Sequence, residues 1–161
     1  MSKIKLWKGK FITELRSSSV LIVGTNPEGR HGLGLAMNAV QFGLQYGKGR
    51  GLMGKTYGLV TKNLKAGFVE HLPDGSSITY PNEGPMSLSL DQLKYNIKEL
   101  IVLMETMPDT NFLLPYRLPS NNLNGFNTED IVDLFIELGV PNNIVYHASL
   151  MDYLRDKVKP I

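Results

Sequence analysis

The sequence predicts an α/β fold with a largely parallel central sheet covered by helices on both faces, a three-layer α/β/α sandwich. Two observations carry this expectation. Short apolar runs of strand length alternate along the chain with segments whose apolar residues recur at helical spacing. The first clear strand, Val20-Leu21-Ile22-Val23, is apolar without interruption, as a strand buried on both faces requires. Strands separated by helices join as parallel neighbours, and their crossovers cover the sheet.

The elements follow in order. Ser17-Ser18-Ser19 and Gly24 bound the first central strand. A helix is expected over 33–46, with Ala36, Met37, Val40 and Leu44 on its inner face. Gly47, Gly49, Gly51 and Gly54 argue against regular structure until Tyr57-Gly58-Leu59-Val60 begins another strand. Phe68–Leu72 and Ser77–Tyr80 flank Pro73-Asp74-Gly75, the composition of a hairpin turn. Ser89 and Gln92 form a capping-box pattern ahead of Leu90, Leu93, Ile97, Leu100, Ile101 and Met104, a helical stripe that Pro108 ends. Asn111–Leu114 reads as a short strand. Asn127 or Thr128 should cap a helix carrying Ile131, Leu134, Phe135 and Leu138, stopped by Gly139 and Pro141. Asn143–Tyr146 is the last core strand, and Leu150, Leu154 and Val158 predict a final helix.

Composition narrows the class. The 161 residues, 42% hydrophobic and 20% charged, suit a single domain over 1–161 with one core and exclude a disordered chain. No apolar run approaches the ~18–20 residues of a membrane helix, and no signal-peptide stretch follows Met1. The chain has no cysteine, which excludes disulfides and thiolate chemistry and agrees with a cytoplasmic location. The net charge of +2 conceals a division between the halves. Residues 1–65 hold 11 Lys/Arg against 2 Asp/Glu, whereas residues 66–161 hold 6 against 13. The basic half is where anions should meet the molecule, unless Lys3, Lys5, Lys8 and Lys10 are simply solvated residues at a strand edge.

In a parallel sheet, ligands bind beyond the carboxyl ends of the strands. That rim should gather residues 24–34, 60–66 and 115–127. Between the first central strand and its helix runs Gly24-Thr25-Asn26-Pro27-Glu28-Gly29-Arg30-His31-Gly32-Leu33-Gly34. Gly32 and Gly34 would let main-chain N–H groups approach a phosphate, and Asn26, Arg30, His31 and Leu33 flank them. His31 is a candidate general base or phosphate contact, or else an exposed side chain beside a flexible turn. Gly49–Thr56 spells the G-x-x-x-x-G-K-T pattern of a phosphate-binding loop. That motif must pass from a strand into a helix, and here it enters a strand, so the match is rejected. Lys62, at the end of its strand, can hold an anion, attack a sugar carbon, or point into solvent. Ser120-Asn121-Asn122-Leu123-Asn124-Gly125-Phe126 offers amides for ribose or phosphate, while Phe126 either stacks on a ring or faces the core. His71 and His147 lie too far apart in sequence for a metal site, and no metal or cofactor is expected.

Together these segments resemble the macrodomains, binders of ADP-ribose with a mixed, largely parallel sheet. The nearest resemblance is to the ADP-ribosyl glycohydrolase class that includes antitoxins of DarT-type toxins; small phage-type and bacterial proteins of unknown function share the features. Lys8-Gly9-Lys10-Phe11-Ile12 resembles the opening K-G-D-[LI] segment of that class, and Arg30–Ala36 its G-x-G-[IL]-A turn. Tyr57–Lys62 is similar to its strand ending in Thr-Lys, and Leu123–Ile131 to its second ligand loop and following helix. The resemblance implies that Gly32 and Gly34 face a pyrophosphate, with Ser120–Asn124 closing over it and over the distal ribose. It also implies a catalytic pair: a lysine at Lys62 attacking the ribose carbon, and an acid at the position of Asn124.

Two departures bear on chemistry. Lys10 replaces the acid that reads the adenine amino group, and Asn124 replaces the catalytic acid of the second loop. Losing a positioned general acid or base typically costs ~10²–10⁴ in rate. The expected function is therefore binding of ADP-ribose or a related nucleotide, with removal of ADP-ribose from modified DNA or protein through Lys62 as its catalytic extension. A non-catalytic module that sequesters nucleotides or engages a host protein is the alternative. Nucleic-acid binding by the basic half ranks third, because its lysines lack interleaved aromatic residues beyond Trp7.

Overall fold

The structure, a computed structural model, describes residues 4–10, 12–32 and 34–157. It is an α/β fold built on a mixed, mostly parallel six-stranded sheet with four helices. The strands are β1 (Lys5–Trp7), β2 (Ser19–Thr25), β3 (Gly51–Met53), β4 (Thr56–Val60), β7 (Asn111–Leu113) and β8 (Ile144–His147). They lie in the order β1-β8-β7-β2-β4-β3, and only the edge strand β3 runs antiparallel to its neighbour. The strands β5 (Phe68–His71) and β6 (Ser77–Tyr80) form a separate hairpin, in register Phe68↔Tyr80 to His71↔Ser77. No helix among the described residues is long and apolar enough to cross a membrane.

Strand β2 sits at the centre for the reason its composition implies: its residues alternate between two apolar clusters. Val20 and Ile22 join Leu59, Phe112, Ile144 and the inward residues of the long helices. Leu21 and Val23 face the other way, against Ile12, Ala39, Leu44 and Met53. Helix α2 (Leu90–Thr106) begins at the expected capping box, in which the Ser89 side chain accepts from the Gln92 N–H and the Gln92 side chain answers to the Ser89 N–H. Leu93, Ile97, Leu100, Ile101 and Met104 are buried, each worth about 1.5–3 kcal/mol of removed apolar surface. Leu90 departs from the stripe and is 55% exposed.

Three other expectations need correction. The helix foreseen over 33–46 is only α1 (Gly34–Ala39), followed by a 3₁₀ turn over Val40–Phe42 that Gly43 closes at φ 114°. Met37 and Val40 are exposed, whereas Ala39 and Leu44 are buried, so the inner face is rotated from the expected one. The glycine-rich stretch contains strand β3, which pairs Leu52 with Tyr57 across a two-residue turn at Gly54-Lys55. The pairing partner imposes that strand, since three residues flanked by glycine have no pattern of their own. Helix α3 (Thr128–Glu137) takes no side-chain cap from Asn127; the Ser120 hydroxyl accepts the Thr128 N–H instead, at 2.8 Å. The last helix, α4 (Met151–Arg155), buries Leu154, Leu150 is buried in the 3₁₀ turn before it, and Val158 lies outside the described residues. Lys5 is on an edge strand, one of the two alternatives left open for the N-terminal lysines, while Lys3 and Phe11 lie outside the described residues.

Candidate functional site

Strands β2, β4 and β7 are parallel neighbours, so the segments after each of them emerge on one rim. The first loop is shaped by its own amide. Asn26, 8% exposed, accepts the Arg30 N–H on Oδ1 and donates from Nδ2 to the Arg30 carbonyl, both at 3.0 Å. Asn26 therefore holds the loop closed rather than projecting toward a ligand. Gly29, in the left-handed region at φ 70°, presses directly on the main chain of Gly47 and Lys48, and the Gly47 N–H bonds to the Gly29 carbonyl at 2.8 Å. Gly49 packs equally closely on the Asn26 carbonyl.

His31 is not the exposed side chain anticipated. It is 2% exposed, and its Nε2 lies 2.8 Å from the Gln45 carbonyl and 2.9 Å from that of Lys48. Two carbonyl acceptors require hydrogen on Nε2, while Nδ1 is buried without a partner. The residue ties the first loop to the 45–48 segment. Arg30 turns outward, its side chain 64% exposed and 3.9 Å from Glu28.

Gly32 is open: a Cβ built there would meet nothing within 4 Å. Among the described residues no group accepts the main-chain N–H of Gly32. Leu33 lies outside the described residues. A Cβ built on Gly34, at φ 59°, would lie 3.6 Å from the Leu123 side chain, so the second loop reaches over the first.

The second loop is braced from within. Asn122 donates to the Phe126 carbonyl and to the Thr128 hydroxyl, and Asn124 Oδ1 accepts the Phe126 N–H at 2.9 Å. Asn124 is 5% exposed, and its carbonyl accepts the N–H of Met86, a residue held at φ 58°. Gly125 faces Pro85 and Met86 too closely to admit a side chain. Phe126 is partly buried and packs on the larger apolar cluster. Asn121 and Leu123 are exposed. Ser120, besides serving α3, lies 3.4 Å from Glu129.

Lys62 is half-buried beyond β4, and its N–H reaches the Thr25 carbonyl at 3.4 Å. Among the described residues no carboxylate pairs with its ammonium group. Beside it the structure assembles a group that sequence reasoning missed. The Tyr116 phenol is buried between Thr61, Asn124 and the α-carbon of Gly24, facing the first two without an aligned hydrogen bond to either. Burial pushes its pKa up to about 12, opposed in part by those two polar neighbours, so it is neutral at ordinary pH. The only advance signal was a glycine closing an apolar strand, a position that commonly marks a close approach.

No family model matches the chain, and no curated protein or solved structure matches it. The site stands on its geometry alone. Two loops converge above the ends of parallel strands, with an open glycine amide on one side and amide-rich, internally bonded backbone on the other. Such a surface can hold an anion through main-chain N–H groups. It offers little for proton transfer: Asn124 is a carboxamide with its oxygen engaged, and the nearby phenol keeps its proton.

Proposed function

We propose that the protein binds ADP-ribose or a related nucleotide at this rim, as a three-layer sandwich of macrodomain type, and that it binds without efficient turnover. The observation that carries the reading is Gly32, where a Cβ would meet nothing within 4 Å, two residues before Gly34, which the Leu123 side chain of the second loop approaches. A diphosphate would lie along the Gly32 and Gly34 amides, beneath Leu123, with Lys62 contributing positive charge from the neighbouring strand end. The two apolar clusters on opposite faces of the sheet support the sandwich. The absence of turnover follows from Asn124: a lysine attack on the ribose carbon needs a proton donor, and no carboxyl group stands at that position.

The test is calorimetric titration with ADP-ribose against the wild-type chain and Gly32→Val. The site has room for the valine side chain, so the variant should melt close to the wild-type temperature while losing at least tenfold in affinity. Absence of heat with the wild type at millimolar ligand would end the reading. Release of ADP-ribose from modified DNA or protein would overturn the claim that the protein only binds.

A further inference from the structure

A second feature of the surface shares the rim's first loop but is walled elsewhere by the 46–47 segment and by Phe68. Pro27, Glu28, Arg30, Tyr46, Gly47 and Phe68 line an open depression of about 450 Å³. Neither Gly32, Gly34 nor Lys62 contributes to it. We propose that this depression binds a nucleobase together with the phosphate attached to it.

The walls are preformed. The 27–30 loop is locked to the 45–48 segment by the Gly47–Gly29 hydrogen bond, by the close packing of Gly29 on Lys48, and by His31 spanning Gln45 and Lys48. Phe68 opens β5, a strand held down by the Arg50 guanidinium bound to Glu70 through two nitrogens. Tyr46 is 69% exposed, yet the buried His31 ring supports it edge-on at 6.1 Å. An exposed aromatic ring on a fixed base is a stacking platform with little to lose on ordering.

The chemistry of the lining selects the ligand. Tyr46 and Phe68 provide aromatic surface for a planar ring. Arg30, largely in solvent, presents a guanidinium to a phosphate and has only the distant contact to Glu28 as a competitor. Glu28 places a carboxylate acceptor in the lining, which favours bases bearing an exocyclic amino group over thymine or uracil. Five of the six lining residues also lie in the half of the sequence with 11 Lys/Arg against 2 Asp/Glu. Two sources share this chemistry: a free mononucleotide, or one unit of a single-stranded oligonucleotide.

Fluorescence anisotropy with short labelled oligo(dC) and oligo(dT), competed by unlabelled CMP, tests the proposal. Oligo(dC) should bind saturably, more tightly than oligo(dT), and with an affinity that falls as salt rises. Tyr46→Ala should weaken binding about tenfold or more, and Arg30→Ala should weaken it while flattening the salt dependence. Displacement by CMP at concentrations near its own Kd identifies the free nucleotide as sufficient; displacement only in large excess identifies the strand as the source. Both variants change exposed side chains, and a thermal melt confirms that they fold. Tyr46→Ala should leave any ADP-ribose binding unchanged, which separates this site from the rim. Unaltered affinity in both variants, equal affinity for the two oligonucleotides, or no saturable binding to any of the three probes would overturn it.

Discussion

At Gly24 a built Cβ would lie 2.8 Å from the Tyr116 hydroxyl and 3.3 Å from that of Thr61. Gly24→Ala must therefore push the phenol aside, and such overpacking of a tight interior typically costs about 1–3 kcal/mol. The same phenol is buried without an aligned partner, so Tyr116→Phe removes a desolvated hydroxyl and should leave stability unchanged or raised. In the double variant the alanine should be tolerated better than alone. Urea unfolding midpoints read all three; a clear loss in Tyr116→Phe would show that the hydroxyl makes a bond worth keeping. The glycine was legible in the sequence, since it ends an apolar strand. The tyrosine was not, because the two residues are joined only by the pairing of β2 with β7. His31 teaches the same lesson: beside glycines it read as exposed, and only the packing of the 45–48 segment buries it.

At the scale of elements, the hairpin, α2 and the edge of the sheet are joined by one charged cluster. Arg50 binds Glu70 at 2.8 Å and 3.0 Å, Glu99 at 2.8 Å and Asn96 at 2.8 Å, while the Tyr80 hydroxyl donates to Glu70 at 2.6 Å. The Arg50 and Glu70 side chains are only 12% and 10% exposed. The neighbouring carboxylates hold the guanidinium pKa above its usual value, although burial alone would lower it. Arg50→Met strands Glu70 without its partner and should cost about 3–5 kcal/mol. Adding Glu70→Gln, which keeps a group for the Tyr80 hydroxyl to bond, should recover part of that loss. Denaturant unfolding measures both, and hydrogen exchange should report the opening first in β5 and β6. The elements themselves were largely readable: the strands β2 and β4, the hairpin and the capping box of α2 all sit where apolar spacing and turn residues put them. The short strand β3 and the truncated α1 were not, because a partner strand imposes the first and Gly43 against Gly54 halts the second.

For the whole molecule, buried phenols make stability sensitive to alkali. Burial pushes Tyr146, like Tyr116, up to about 12 from an ordinary value of 10.0. Below pH 10.0 both are protonated in the folded and unfolded chains alike, and the contribution is complete. Above it the unfolded chain loses protons that the folded chain retains, so stability falls until the folded phenols ionise as well. Each should contribute a slope of about 1.4 kcal/mol per pH unit across that window. Urea midpoints measured from neutral into alkaline solution should decline there, less steeply in Tyr116→Phe. A midpoint that stayed level would mean that these rings reach solvent.

Acting alone, the order of residues determined the central strands, the hairpin and the long helices, and which loops gather at the carboxyl rim. Those outcomes depend on spacing along the chain: apolar runs, a capping pair, turn residues between strands. Tertiary structure decided which side chains share that rim. Asn26 is spent on its own loop, His31 is buried, Arg30 turns outward beside Tyr46, and Tyr116 comes to rest between Thr61 and Asn124. The burial of His31 and the placing of Tyr116 depend on contacts between segments distant in sequence, formed only when the sheet assembles, whereas Asn26 bonds within its own loop.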